Sequence, residues 1–104
     1  MGLWATLDGL HRERRVARVI AGGAKGADAM AEEWARVRGV PCAVYMANWA
    51  ELGRKAGPIR NQQMLDEGRP TLVVAFPGGR GTADMVRRAR AAGIEVVEIA
   101  RIEP

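Results

Sequence analysis

The chain has 104 residues, of which 48% are hydrophobic and 27% charged; that length and composition fit one globular domain and exclude a disordered polyelectrolyte. The formal charge of +4, carried mostly by arginine, is a mild bias toward anions and falls short of a nucleic-acid signature. A single cysteine, Cys42, excludes an intrachain disulfide, and no run reads as a secretory leader or a bilayer span, so a cytoplasmic protein is expected.

Leu3, Leu7 and Leu10 lie on one helical stripe within residues 3–15, with charges between them. Residues 16–21 form a short β-branched run stopped by Gly22-Gly23, which predicts a buried strand and a turn. From Gly26 the period becomes helical: Ala27, Met30, Trp34 and Val37 share a face, and Gly39 supplies a stop. Trp34 is expected in the core. Residues 40–46 are the next strand, which makes Cys42 a buried, inert thiol. Residues 48–57 hold two glycines and no period, and predict a loop. Pro58 then opens a helix ended by Gly68. Residues 71–76 are a continuous apolar run and predict a strand buried on both faces. Pro77-Gly78-Gly79 breaks it, a helix follows over 81–92, Gly93 ends that, and residues 94–99 form the last strand. The alternation predicts a single α/β domain, with a parallel sheet of about four strands and helices on both faces. In such sheets ligands bind beyond the carboxyl ends of the strands, where both double-glycine turns fall.

The first turn is Gly22-Gly23-Ala24-Lys25-Gly26-Ala27-Asp28. Glycines there let backbone approach a ligand closely, and the free N–H groups of the next helix face an anion. The spacing fits neither the dinucleotide fingerprint nor the P-loop. A tight structural turn, with Asp28 favouring the helix start, is the competing reading. The second turn, Pro77-Gly78-Gly79-Arg80-Gly81-Thr82, repeats this geometry. Thr82 either donates its hydroxyl to a phosphate or caps the helix. In the third segment, Gly57-Pro58-Ile59-Arg60-Asn61-Gln62-Gln63-Met64, Arg60 stands one turn into the helix.

Together the three segments resemble the YpsA-related branch of the SLOG superfamily, over roughly residues 16–99. These are Rossmann-like domains that include the LOG-type phosphoribohydrolases, the lysine-decarboxylase-like proteins and the DNA-processing protein A domain. The resemblance implies that Gly78, Gly79, Gly81 and Thr82, with Arg80 between them, form the PGGxGT phosphate-binding turn. It implies that Arg60 stands near the ribose, with Asn61 at the neighbouring lysine position, and that Gly22, Gly23, Gly26 and Asp28, with Lys25, form the earlier turn. LOG-type enzymes carry a catalytic glutamate in PGGxGTxxE, and that position is Met85 here. Asp84, one residue earlier, is rotated about 100° away on a helix. Relatives begin with a further, central strand. Its counterpart is not evident here, so the strands close up, the start lies elsewhere, or a partner chain completes the sheet. A homo-oligomer is expected.

The sequence therefore points to a sensor or binding module for a nucleotide or nucleotide-derived ligand. One alternative is a LOG-type nucleotide hydrolase, for which Arg60, Asp28 and Asp84 are the candidate catalytic residues. The other is single-stranded DNA binding, for which stacking aromatics are sparse. No metal site and no cofactor are expected, because His11 is the only histidine. His11 itself is expected in solvent.

Overall fold

The computed structural model describes residues 2–24 and 26–99. The chain divides into two compact units, with the boundary between Tyr45 and Met46.

The first unit opens with helix α1 (Leu3–Arg14), which buries Leu3 and Leu7 as the stripe requires. Arg15 leaves the helix at φ 55°, and the backbone N–H of Val16 donates to His11 Nδ1 at 2.9 Å. The imidazole also packs edge-on against Trp34, with ring centroids 5.5 Å apart. His11 is thus half-buried and stops the helix, where the sequence places it in solvent. Strand β1 (Val19–Ala21) leads into helix α2 (Ala27–Arg38), whose Trp34 and Ala35 are fully buried. Gly39 ends α2 in the left-handed region at φ 70°, and the Val40 N–H reaches back to the Ala35 carbonyl at 2.8 Å. Strand β2 (Cys42–Val44) then pairs parallel with β1, Val19 opposite Cys42. Cys42 is exposed rather than buried: it opens β2, and its side chain falls on the strand's outward positions.

A polar clamp fixes α1 to α2. Asp8 accepts from Trp34 Nε1 at 2.9 Å and from Arg38 Nε and Nη2 at 2.9 and 3.0 Å. The Arg38 guanidinium lies 5.2 Å from the ring centroid of Trp4, a cation–π contact. The hydrogen bond from Arg38, with a second from Trp34, holds the Asp8 carboxyl down at about 2.

The second unit starts with a correction to the sequence reading. Residues 48–57 are not a loop. Asn48 accepts the Glu51 N–H and caps a short helix, α3 (Trp49–Leu52), a 3₁₀ turn follows over Gly53–Lys55, and helix α4 (Ala56–Gly68) begins at once. All four residues of α3 are exposed, so no apolar period marks it. Its tether is the Trp49 indole lying on Gly57, where a Cβ would stand 3.1 Å from Cη2. Pro58 sits in the first turn of α4, where its missing N–H is harmless. Gly68 stays inside the helix, buried, and the left-handed turn passes to Arg69 at φ 49°.

Strand β3 (Leu72–Ala75), helix α5 (Arg80–Ala91) and strand β4 (Glu95–Glu98) form a βαβ crossover, with β3 and β4 parallel and Leu72 opposite Glu95. Val86 and Ala89 of α5 are buried. Along β3 only Ala75 is buried, and Leu72, Val73 and Val74 are half-buried, short of the two-sided burial expected of this run. Among the described residues the ladders form two two-stranded parallel sheets, β1–β2 and β3–β4. Each crossover helix joins a pair of strands that are also neighbours in sequence. No helix is long and apolar enough to cross a membrane among the described residues.

Candidate functional site

In the first unit the turn after β1 is shaped by Gly23 and Gly26, at φ 71° and 79°. Gly22 is buried beneath it. Asp28, in the first turn of α2, does not face outward as a free acid: its Oδ2 accepts the Ala24 N–H at 3.2 Å and braces the turn. That is the structural role the sequence left open. Lys25 lies outside the described residues.

In the second unit the Pro77–Thr82 segment leaves the carboxyl end of β3 and becomes the first turn of α5. Gly79 is the N-cap, and no side chain caps the helix. Thr82 therefore does not serve as the cap; its Oγ1 and Cβ lie against Gly78, where an added Cβ would clash with both. At Gly79 and Gly81 a Cβ would meet no atom within 4 Å, so packing does not demand glycine at either position. Arg80 is exposed beside them.

Helix α4 supplies the other half of this arrangement. Asn61, only 4% exposed, donates through Nδ2 to the Gly81 carbonyl at 3.1 Å and to Asp84 Oδ2 at 3.0 Å. Arg60, half-buried, donates through Nε to Asn61 Oδ1 at 3.1 Å. Asp84 also accepts from Arg87 Nη2 at 2.6 Å and Arg88 Nε at 2.8 Å. Burial raises its pKa, but the hydrogen bonds from Asn61 and Arg88 and the two guanidinium charges outweigh that, so its carboxyl sits below the usual value. An ionised carboxylate with three donors is a structural anion and a poor proton donor. Met85 is half-buried.

A pocket of about 230 Å³ opens between this turn and the ends of β3 and β4, lined by Phe76, Pro77, Gly79, Thr82, Glu98 and Ile99 among others. Phe76 and Glu98 were not singled out from the sequence. The signal was available, because each stands at the carboxyl end of a predicted parallel strand. Glu98 pairs with Arg90 at 2.7 Å. A larger groove, about 630 Å³, runs along α4 and α5 past Arg54, Lys55, Gln62, Asp66, Glu67 and Arg88. It lies along helix sides, its charges are mixed in sign, and it is not at the strand ends where this fold class binds ligands.

The second unit thus gathers Arg60, Asn61, Gly78, Gly79, Arg80, Gly81, Thr82 and Asp84 around one helix start. The unsatisfied N–H groups of that start and the helix dipole suit an anion.

Comparison with known proteins supports the family resemblance, and the profile match spans the first of the three segments but not those at residues 57–64 and 77–82. The family profile YAcAr, described as the YspA, cpYpsA-related SLOG family, matches residues 2–51. The chain is 41% identical over 103 residues to the Gene 61 protein of Mycobacterium phage D29, covering 91% of this chain and 82% of that protein. No solved structure gives a significant match.

Proposed function

Because the chain belongs to the YspA, cpYpsA-related SLOG family, we propose that it binds a nucleotide or nucleotide-derived ligand, as a sensor or ligand-binding module. The observation that carries this reading is the start of α5. It is uncapped, it stands at the carboxyl end of β3, and it is approached across Gly79 and Gly81, whose missing side chains no internal neighbour requires. Without side chains at Gly79 and Gly81 the backbone of this start is open to close approach of a phosphate. The ligand's phosphate rests on the backbone N–H groups of residues 80–82, and the sugar extends toward Phe76 and Glu98 in the adjoining pocket. Arg60 supplies positive charge from α4. The turn at Gly22, Gly23 and Gly26 is a second anion cradle on the first unit.

Binding is favoured over LOG-type hydrolysis by the state of the acids. Met85 stands where the family enzymes place glutamate, and Asp28 and Asp84 are both committed to internal hydrogen bonds. Among the described residues each strand pairs along one edge only, which supports self-association into a homo-oligomer.

Native mass spectrometry of the protein with AMP, ADP-ribose and NAD tests the reading. A bound intact nucleotide supports it. A released base with retained ribose phosphate would replace it with the hydrolase reading, and a folded sample that binds none of the three would refute it. The protein-only spectrum gives the oligomeric state.

A further inference from the structure

Among the described residues the buried polar and charged side chains are Asn61 and Asp84, and they hydrogen-bond to each other. Their place explains how a glycine-rich, uncapped helix start stays ordered. Gly78, Gly79 and Gly81 leave the segment before and within the first turn of α5 conformationally loose, and no side chain of its own closes it. Asn61 reaches across from α4 and binds the Gly81 carbonyl and the Asp84 carboxylate at once. The same oxygen, Asp84 Oδ2, also accepts from Arg88 Nε, and Arg88 Nη1 returns to Gln62 Oε1 on α4 at 3.0 Å. The network therefore begins and ends on α4 and encloses the first two turns of α5. Three of the four hydrogen-bonding positions of the Asn61 amide are used, one of them by Arg60. With 4% exposure, its side chain has no face left for a ligand.

We propose that Asn61 is a positioning residue for the Pro77–Thr82 turn: it fixes the backbone that holds the ligand's phosphate and acts on the ligand only through that backbone. The inference rests on the nucleotide-binding reading for its consequence and on the hydrogen bonds alone for its mechanism. Pre-ordering the turn removes an entropy cost that binding would otherwise meet. The neighbouring helix thus anchors the turn through a carbonyl and a carboxylate, and leaves the first-turn N–H groups to the phosphate.

The test uses the full chain, wild type and Asn61→Ala, without ligand first. Hydrogen exchange followed by NMR should be faster by about tenfold or more at Ala83, Asp84 and Met85 in N61A, and within about twofold of wild type at Leu65, Val73 and Val97. Titrations with inorganic phosphate and with AMP should then weaken by the same factor, about tenfold, because only the phosphate cradle is disturbed. Unchanged exchange at residues 83–85 would overturn the proposal, as would uniform acceleration throughout the unit. A loss for AMP much larger than for phosphate would overturn it too, by revealing direct contact with the rest of the nucleotide. Should N61A not fold, the wild type still decides: the Asn61 side-chain amide protons must exchange far more slowly than those of Gln63, and equal rates would sink the idea. If wild-type protein binds no AMP, the nucleotide reading fails, while the exchange data still judge the clamp.

Discussion

Gly78→Ala is the sharpest probe of the turn. A Cβ built on Gly78 stands 3.1 Å from Thr82 Cβ and closer still to Thr82 Oγ1, and 3.6 Å from the Phe76 carbonyl. Rotating Thr82 about χ1 moves Oγ1 away but leaves its Cβ where it is, so a rotamer change relieves only part of the overlap. The remainder must be met by shifting the backbone that joins β3 to α5. Overpacking of this kind costs about 1–3 kcal/mol, and the expected loss lies in that range. Urea unfolding of wild type, G78A, Thr82→Gly and the double variant measures it. Because the remaining overlap is with Thr82 Cβ, which only glycine removes, T82G should recover much of the loss, giving a coupling of about 1 kcal/mol or more in the double-mutant cycle. A G78A protein as stable as wild type, or a cycle additive within about 0.5 kcal/mol, would refute the packing argument.

Gly79→Val should behave oppositely, because no atom lies within 4 Å of its Cβ position: stability within about 1 kcal/mol of wild type, but AMP affinity lowered more than about tenfold by the blocked approach, both read by titration calorimetry and urea melts. Trp34→Ala empties the fully buried centre of the first unit and should cost about 3–5 kcal/mol by urea unfolding. Arg69→Gly relieves a left-handed non-glycine residue at the end of α4 and should raise stability by up to about 1 kcal/mol in the same assay. The Asp8 carboxyl is depressed in the folded state, so its stabilisation is present above the ordinary value of 3.8 and is lost as pH falls through about 2. Acid titration followed by Trp fluorescence should show this loss in wild type, and Asp8→Asn should lessen the pH dependence in that window, the remainder coming from Glu33 and Asp84, whose carboxyls are also held below their usual values.

The order of elements was legible in the sequence because its signals are local. The Leu3 and Leu7 stripe and the Gly39 and Gly93 stops each depend on a few adjacent residues, and each is found where expected. The apolar face read along α2 is met only in part: Trp34 is buried, but Met30 and Val37 are exposed, and Ala35 takes the second buried place. The Pro77–Thr82 turn is equally local, and its place after β3 followed from the apolar run before it. Tertiary structure decided what adjacency cannot. Which strands share a ladder is a matter of pairing between distant segments, and the ladders formed are β1–β2 and β3–β4. The α3 helix has no buried face of its own, so only the Asn48 cap and the contact between Trp49 and Gly57 reveal it. His11 reads as solvent-facing until Val16 and Trp34 are brought to its ring. Asn61 and Asp84 stand 23 positions apart and read separately as a ligand contact and a candidate acid. Burial beside each other turns them into the clamp of a helix start, since a buried amide and a buried carboxylate must each find partners and these lie on another helix.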